Sequence, residues 1–368
     1  MKFSSIQSIV QLAVGTMLLA LAMRTWLVMG LIEPVTVSGS SMAPTLDDGD
    51  YLRIDRTQFV RRRPTRGEVV VARNPHDGTQ LCVKRIAGMP GEVIEIRQGD
   101  VWINRHPCAK TLEQQRAVRQ LVHSERGRTL RWHAMDSNLW RWREDAWRVN
   151  SDQMDQMHWL NYVHPGDQPV TDDVESNLGL SRQLNLVCDF ALSVKLSTRG
   201  SGQLALKLND GRQTIRVGLI LPTGELSLSS DGQLLHKSAI SKESLRKLSR
   251  GSVRLELSNF DRRLQLAIGS RVELSHPLTS TSPPRGTSRP ISIGVAGLQV
   301  ALGDLNVYRD IYYLQQTMGE AHAAKTAILR LGHDEYYLLG DNSPISIDSR
   351  IWGGVGNRML LGKPLGVR

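Results

Sequence analysis

The chain has 368 residues, enough for about two domains, and a formal net charge of +10 from 46 Lys and Arg against 36 Asp and Glu. Its three cysteines exclude a framework of several disulfides; one pair could form in an oxidising compartment, and the sequence does not say which. The ten histidines show no ligand spacing such as His-x-x-x-His, so we expect no metal and no other cofactor.

The segment Phe3–Met23 contains no charged side chain and is mostly apolar. This predicts a membrane-spanning helix, because about 20 such residues cross a hydrocarbon core of about 30 Å. Arg24 and Trp26 follow, and both residue types suit the membrane interface. The alternative is a cleavable signal peptide, with Lys2 as its basic start and Ala20-Leu21-Ala22 as a small-x-small cleavage site. We favour a retained anchor over residues 1–30, with membrane lipid as a partner.

Short strands separated by Gly and Pro turns follow the apolar segment and predict an all-β domain that begins with residues 31–107. An extended stretch at Pro34–Ser38 leads into a turn-rich stretch that contains Ser41. The predicted strands are Tyr51–Asp55, Val69–Ala72, Gln80–Arg85, Val93–Ile96 and Asp100–Asn104.

Residues 108–150 form a basic connecting segment, in which Thr111–His123 is predicted to be helical. Beyond it arginines interleave with tryptophans, a combination that can bind single-stranded nucleic acid. No nucleic-acid-binding motif accompanies the pattern, so we favour a solvated face, or one toward anionic lipid, and expect no nucleic acid. The residues are Arg131, Arg141, Arg143 and Arg148 with Trp132, Trp140, Trp142 and Trp147.

A second series of alternating strands runs through residues 151–318 and predicts a jelly roll or β-sandwich. Predicted strands include Phe190–Leu196 and Leu204–Leu208, and one short helix is predicted at Lys242–Leu248. The pattern of the first block resumes in residues 319–368 and includes the polar, Gly/Pro-rich loop Gly340–Arg350.

Ser41 and Lys84 are the residues whose chemistry could form an active site together. A serine hydroxyl is a weak nucleophile unless a base lies beside it. A lysine among apolar strand neighbours has its pKa lowered by desolvation, and its neutral amine can then take a serine proton. Neither residue alone is distinctive, because turn serines and solvated lysines are common.

Five short sequence boxes, which occur in a fixed order along the chain, support the pairing of Ser41 with Lys84. They resemble those of type I signal peptidases, the bacterial leader peptidases of the Ser/Lys class: Ser40–Leu46, Gly49-Asp50, Arg66–Val70, Lys84–Glu92 and Gly340–Gly353. The resemblance covers the apolar segment, about residues 34–104 and about residues 325–368, but not the part between. It implies a membrane-bound serine endopeptidase that removes signal peptides from exported preproteins. The implied location is the cytoplasmic membrane, with a single span and the catalytic domain on the extracytoplasmic side.

The resemblance also implies a role for each matching residue. Ser41 would be the nucleophile, Lys84 the general base, and Ser346 the residue that orients the lysine amine. Asp348 and Arg350 would form a supporting ion pair, for which fold stability alone is the alternative.

The resemblance implies that the substrate binds as an added strand. Small side chains of the signal peptide would enter pockets lined by Val35, Val37, Leu46 and Val83, next to Leu81 on the same strand. The alternative is that these apolar residues are ordinary strand core.

Two short stretches depart from the family pattern. Gly39 stands where some members carry a serine hydroxyl that helps to stabilise the oxyanion, and loss of one such donor elsewhere costs about 3 kcal/mol. Ser343-Pro344-Ile345 replaces the usual Arg-Asp-Asn, which affects the hydrogen bonds expected around that loop.

The largest departure is an insert from about Cys108 to Met318. Its last strands, Ile291–Tyr313, resemble the closing strands of concanavalin-like (laminin-G-like) jelly rolls, an arrangement similar to planctomycete-type signal peptidases. Such folds bind glycans or serve as docking modules, so the expected partner of the insert is a glycan or a protein. The alternative function is a catalytically silent homologue acting as a membrane-anchored glycan-binding or docking module; the intact Ser41, Lys84 and Ser346 argue against it.

Overall fold

The computed structural model describes residues 12–24, 32–126, 130–135, 139–151, 154, 156–177, 179–280, 282–315 and 328–366. The chain divides into two compact units. The split unit combines Met1–Glu95 with Gln315–Arg368, and the inserted unit is Ile96–Leu314. Strands dominate the regular structure of the described residues, which confirms the predicted all-β class.

The helices are residues 12–24 (α1), Gln58–Arg61 (α2), Leu112–Val118 (α3), Lys242–Arg250 (α4) and Ser349–Trp352 (α5), with single 3-10 turns at Pro165–Asp167, Glu175–Asn177 and Asn357–Met359. The strands up to the first long one are β1 (Ile32–Thr36), β2 (Tyr51–Asp55), β3 (Val69–Arg73), β4 (Leu81–Gly88), β5 (Val93–Arg97), β6 (Asp100–Ile103), β7 (His106–Pro107), β8 (Gln120–Ser124), β9 (Trp132–Ala134), β10 (Arg141–Arg143), β11 (Ala146–Asn150), β12 (His158–Tyr162) and β13 (Phe190–Asn209). The later strands are β14 (Thr214–Leu221), β15 (Glu225–Ser230), β16 (Gln233–Ala239), β17 (Val253–Phe260), β18 (Arg263–Ile268), β19 (Arg271–Pro277), β20 (Ile291–Arg309), β21 (Leu329–Arg330), β22 (Glu335–Leu339), β23 (Val355–Gly356) and β24 (Leu360–Leu365).

The described part of the predicted anchor is the helix α1, whose apolar side chains are exposed. Leu12, Met17 and Leu19 are 72%, 73% and 72% exposed. No helix within the described ranges is both long and apolar enough to cross a membrane. Residues 3–11 of the predicted anchor, and residues 25–30 after it, lie outside the described residues.

The split unit contains an antiparallel sheet in which the described strands follow the order β1-β2-β24-β3-β4-β22-β23. Strand β4 lies inside this sheet, with Lys84 opposite Val70 of β3 and the next residue, Arg85, opposite Leu339 of β22. Two apolar clusters stabilise it: one includes Val70 and Ile86, and the other includes Val37, Met42, Leu46, Leu52 and Val69. The first and last segments of the chain therefore share one sheet, and β4 holds Lys84 in its interior.

The inserted unit is organised around two long antiparallel strands, β13 and β20. The sequence predicts two strands, Phe190–Leu196 and Leu204–Leu208, where the structure has the single strand β13. Its pairing with β20 shifts register at Ser193/Lys195 and at Gly200/Gln203. Gly202 permits the second shift, because a Cβ there would lie 2.1 Å from the carbonyl oxygen of Ala296. The buried side chains of both strands belong to one large apolar core.

The predicted helix Thr111–His123 is wrong in its second half. The helix α3 begins after a capping box formed by Thr111 and Gln114 and ends at Val118. The following residues form β8, which pairs with β20. Tertiary strand pairing thus overrides the helical pattern of the sequence there. The predicted helix Lys242–Leu248 is confirmed as α4.

The interleaved tryptophans and arginines of residues 131–148 lie largely on strands, whose side chains alternate between two faces. Trp132, Trp140 and Trp147 are 1%, 4% and 8% exposed and belong to the core of the inserted unit. Arg141 and Arg148 are exposed. Because these three tryptophans are core residues, they do not form a stacking surface for bases.

Candidate active site

Ser41 and Lys84 meet in the split unit, where the Lys84 amine donates a hydrogen bond to Ser41 Oγ over 2.7 Å. Ser41 begins a tight turn after β1, in which the Ala43 amide donates to the Ser40 carbonyl at 3.1 Å and the Leu46 amide to the Met42 carbonyl at 3.0 Å. Lys84 projects from the interior strand β4. A hydroxyl on a turn and an amine on a rigid strand are therefore within proton-transfer distance.

The surroundings of Lys84 favour the neutral amine. The residue is 4% exposed, and this burial lowers its pKa below the usual 10.5. An ionised Cys82 would act in the opposite direction, as do the negative charges of Asp348 and Asp341, whereas Arg350 lowers the pKa further. Because desolvation is the largest influence, the amine can lose its proton more readily than a lysine in water. A neutral amine beside a serine hydroxyl is the arrangement needed to activate the serine.

The residues Asp341 and Asn342 hold the nucleophile turn from the far end of the chain. Asn342 donates its backbone amide to the Ser41 carbonyl at 3.0 Å and its side-chain amide to the Ser40 carbonyl at 3.0 Å. Asp341 accepts two hydrogen bonds from Arg85 at 2.9 and 2.6 Å. Hydrogen bonds thus join Arg85, which follows Lys84, directly to Asp341, which precedes Asn342.

Gly340 occupies a position with no room for a side chain. A Cβ there would lie 2.1 Å from Ser346 Oγ and 2.5 Å from the Ser41 carbonyl oxygen. Its amide donates to Asp348 Oδ2 at 3.0 Å. Gly340 therefore lets the Ser346 loop and the Ser41 turn approach each other closely.

The sequence pattern indicates no separate role for Arg85, Gly340, Asp341 or Asn342. All four lie within the sequence boxes that resemble type I signal peptidases. Arg85 directly follows Lys84, and the other three belong to the Gly340–Arg350 loop. That adjacency was the available signal, but the contacts join residues that are far apart in the sequence.

The predicted supporting residues lie together in a buried network. Asp348 accepts from Arg350 Nε at 2.8 Å and from Arg350 Nη2 at 2.7 Å, and the two side chains are 0% and 3% exposed. Asp348 also caps α5 by accepting from the Arg350 amide. Arg350 Nη2 donates to the Ser346 carbonyl at 3.1 Å, and Ser346 is 1% exposed.

The unusual loop Ser343-Pro344-Ile345 takes part in the same network. Arg350 donates to Ser343 Oγ at 2.6 Å and to the Ser343 carbonyl at 2.9 Å. Ser343 is itself buried. The substituted loop thus supplies acceptors to the guanidinium that pairs with Asp348.

The five predicted substrate-binding residues do not all lie in one group. Val37 and Leu46 are buried in the apolar cluster that contains Met42, and Val83 packs against it. Val35 is half-buried on β1, and Leu81 is 39% exposed at the start of β4; neither belongs to that cluster.

Two strand edges near these residues have no further strand paired to them within the described chain. Within the described chain, β1 pairs only with β2 and lies at the edge of its sheet. The pairing of β22 with β4 covers Arg85 to Gly88 and does not reach Leu81–Val83. Unpaired backbone at a sheet edge can accept an extended peptide.

Gly39 adopts a conformation that favours glycine. Its φ is 85°, in the left-handed region, and its amide donates to Asp48 Oδ1 at 2.7 Å. The position thus shapes the approach to Ser41 but offers no side-chain donor for an oxyanion.

Among the residues that the structure describes, no group of three or more His, Cys, Asp or Glu is arranged to hold a metal ion. Cys82, Cys108 and Cys188, which all lie within the described ranges, form no disulfide bond. Burial raises the pKa of the Cys82 thiol, so the thiol next to Lys84 along β4 is uncharged at neutral pH.

Comparison with known proteins links this site to one family. The family model described as "Signal peptidase, peptidase S26" matches residues 8–164. The chain is 36% identical over 99 residues to "Probable signal peptidase I-2" of Synechocystis sp., covering 25% of this chain and 42% of that protein. It is 38% identical over 93 residues to "Signal peptidase I T" of Bacillus subtilis, covering 25% and 46%.

A solved carbohydrate-binding module from Bacillus subtilis covers 48% of this chain and 94% of that structure, at 9% identity and a TM-score of 0.31. The chain spans less than half the length of the two signal peptidases. The segment that matches the family model, residues 8–164, nevertheless contains both Ser41 and Lys84. These matches confirm the resemblance to type I signal peptidases, because residues 8–164 match the signal peptidase family model and both relatives are named signal peptidases.

Proposed function

We propose that the protein is a serine endopeptidase that cleaves N-terminal signal peptides from exported preproteins. The observation that carries the proposal is the 2.7 Å contact between Ser41 Oγ and the buried Lys84 amine. The family match supports it, because related proteins are named signal peptidases.

In the proposed mechanism the neutral Lys84 amine takes the hydroxyl proton while Ser41 Oγ attacks the scissile carbonyl carbon. The lysine then gives this proton to the leaving amine, the peptide C–N bond breaks, and the signal peptide stays attached to Ser41 as an ester. The regenerated amine takes a proton from water, and the hydroxide attacks the ester carbonyl. Lys84 then returns the proton to Ser41 Oγ as the ester C–O bond breaks, which releases the signal peptide as a carboxylic acid. The backbone amide of Ser41 is proposed as an oxyanion donor.

Ser346 is proposed to orient the lysine amine, and Asp348 with Arg350 to keep the Ser346 loop in place. The crowding at Gly340 supports this, because Ser346 Oγ and the Ser41 carbonyl oxygen both lie close to that glycine. The hydrogen bond from Arg350 to the Ser346 carbonyl supports the positioning role of the ion pair.

We propose that the signal peptide binds extended, between the open edges at β1 and at Leu81–Val83. Small side chains before the cleavage site would enter pockets lined by Val35, Val37, Leu46 and Val83. The grouping of Val37, Leu46 and Val83 around one apolar cluster next to Ser41 supports this assignment.

Membrane attachment belongs to the same proposal. Residues 1–30 would anchor the chain by a single span in the lipid of the cytoplasmic membrane, with the catalytic domain on the extracytoplasmic side. The exposed apolar side chains of α1, such as Leu12, Met17 and Leu19, support it, because they need an apolar environment. Resistance of the membrane-bound chain to extraction by alkaline carbonate would test it, and release of the intact chain would contradict it.

The remaining domain assignments are also proposals. Residues 31–107 and 319–368 would form the catalytic core, and residues 151–318 a concanavalin-like jelly roll. Residues 108–150 would connect them while adding strands β8 to β11 to the inserted unit. The jelly roll would bind a glycan or a protein. A catalytically silent homologue is not favoured, because a silent protein has no need of a buried amine beside Ser41.

Cleavage of a preprotein by the purified full chain in detergent tests the proposed activity. We expect cleavage after a small-x-small site by the wild type and by Ser38→Ala, which removes a nearby exposed hydroxyl. We expect no cleavage by Ser41→Ala. Mass spectrometry of the products locates the cut, and failure of the wild type to cleave preproteins with such sites would overturn the proposal.

A further inference from the structure

A concave surface of about 670 Å³ lies on the inserted unit, which contains neither Ser41 nor Lys84. It is formed by the outward side chains of β10, β11, β13 and β20. Six of its lining residues define what we call the arginine trough: Arg141, Arg143, Arg148, Asn150, Arg199 and Gln299.

Strand register explains why these side chains share one face. Arg141 of β10 pairs with Arg148 of β11, which pairs with Ala301 of β20, which pairs with Ser197 of β13. One step along, Asn150, Gln299 and Arg199 form the next row. Small residues thus form the floor between long basic side chains, while the alternate residues face the core.

The trough carries an excess of positive charge. Arg148 pairs with Glu144 at 2.8 Å, but the two side chains are 47% and 83% exposed, so the pair neutralises the surface weakly. Arg143 and Arg199 form no ion pair with any carboxylate in the described chain. Both are exposed, so their guanidinium groups are accessible to a ligand.

We propose that the arginine trough binds an acidic polysaccharide, meaning a glycan chain with carboxylate or sulfate groups. The inference rests on the proposed function of the inserted unit as a binding module, and it names the class of ligand. The planar guanidinium group donates paired hydrogen bonds to such anions. Asn150, Gln299 and Ser197 add amide and hydroxyl groups, which suit the hydroxyls of sugars.

The shape and chemistry of the trough favour a glycan over other anionic partners. Three strand spacings separate β10 from β13, a width of about 14 Å that accommodates a single polymer chain. A flat lipid surface does not fill a concave site. Single-stranded nucleic acid is usually held by stacked aromatic side chains, whereas Trp140 and Trp147 of this region are buried in the core and Trp142 is half-buried against it.

Equilibrium binding to the full chain in detergent tests the proposal, with polygalacturonate and dextran sulfate as acidic probes and dextran as the neutral one. We expect salt-sensitive binding of both acidic probes and none of dextran. Arg143→Gln/Arg199→Gln should weaken it about tenfold or more, because two charged contacts are lost. Lys237→Gln/Arg285→Gln removes the same charge from exposed positions outside the trough and should change binding less than about twofold.

Poly-glutamate and oligothymidylate distinguish a glycan site from a general polyanion site. Asn150→Ala/Gln299→Ala should weaken binding of polygalacturonate but leave the weaker binding of poly-glutamate unchanged. The proposal would be overturned if Arg143→Gln/Arg199→Gln and Lys237→Gln/Arg285→Gln lost the same amount of binding. It would also be overturned if poly-glutamate or oligothymidylate bound as tightly as polygalacturonate. Ser41→Ala should bind polygalacturonate like the wild type. Failure of the proposed peptidase activity and failure of the proposed glycan binding can therefore be distinguished.

Discussion

Arg85 and Asp341 form a bidentate ion pair, and their side chains are buried, with 4% and 0% exposure. Arg85 follows Lys84 on β4, and Asp341 precedes Asn342, whose amide groups hold the Ser40 and Ser41 carbonyls. The pair thus connects the strand of the candidate base with the loop that positions the candidate nucleophile.

Asp341→Asn should destabilise this connection strongly, because it leaves the Arg85 charge buried without its partner. We expect the free energy of unfolding to fall by about 3–5 kcal/mol. Glu33→Gln breaks an ion pair with Arg56 in which the side chains are 45% and 40% exposed, and it should cost less than about 1 kcal/mol. Denaturant unfolding, with hydrogen exchange at Asn342, measures both; equal effects would contradict the account.

Gly340→Ala should disrupt the candidate site without changing any charged group. Its Cβ would overlap Ser346 Oγ and the Ser41 carbonyl oxygen, so one of these two must move. We expect preprotein cleavage to fall about a hundredfold or more, since small misplacements of reacting groups are costly. Gly356→Ala is the matched control, because its Cβ meets nothing within 4 Å and its φ is −63°. A Gly340→Ala enzyme as active as Gly356→Ala would rule out this steric role.

The pH dependence of kcat/KM should report the ionisation of Lys84 in the free enzyme. The base acts when its amine is neutral, so kcat/KM should rise with pH as the proton is lost. Because burial lowers the Lys84 pKa, the midpoint of this rise should lie below 10.5. The measurement needs a substrate with no ionisable group near the cleavage site. A midpoint at or above the value of a free lysine would show that a different group is being observed.

Lys84→Met should stabilise the folded chain at neutral pH, because it replaces a buried amine with an apolar side chain of similar length. The folded pKa of Lys84 lies below its unfolded value. Between these two pKa values the unfolded state binds more protons, so the stability of the wild type rises with pH. The advantage of Lys84→Met should therefore shrink as pH approaches the unfolded pKa.

Urea unfolding of the wild type and Lys84→Met across this pH range measures the effect. Lys237→Met replaces an exposed lysine and should show no such convergence with the wild type. An advantage of Lys84→Met that is constant with pH would mean that the amine has the same pKa in both states.

Local sequence patterns predicted the elements whose form is decided locally. Tyr51–Asp55 alternates as a half-buried strand and is β2, and the amphipathic stretch from Lys242 is α4. The helix predicted through His123 failed because pairing with β20, which is distant in the sequence, decides the structure of residues 120–124.

The candidate site was likewise predictable only where local sequence motifs decide it. The sequence boxes identified Ser41 and Lys84 as residues of interest. They could not reveal that Gly340 is crowded by Ser346 and Ser41, or that Arg85 reaches Asp341, because these contacts depend on how the two ends of the chain fold together. Nor could they assign the arginines of residues 141–199 to one face, which needed the register of four strands.

The central claim is that Ser41 and Lys84 act as one catalytic unit, and a double-mutant comparison tests it most directly. Single-turnover cleavage of a preprotein would be measured for the wild type, Ser41→Ala, Lys84→Met and the double variant. We predict that each single variant loses about ten-thousandfold or more and that the double variant is no slower than either. Losses that multiply in the double variant, or a single variant that keeps wild-type cleavage, would contradict the claim.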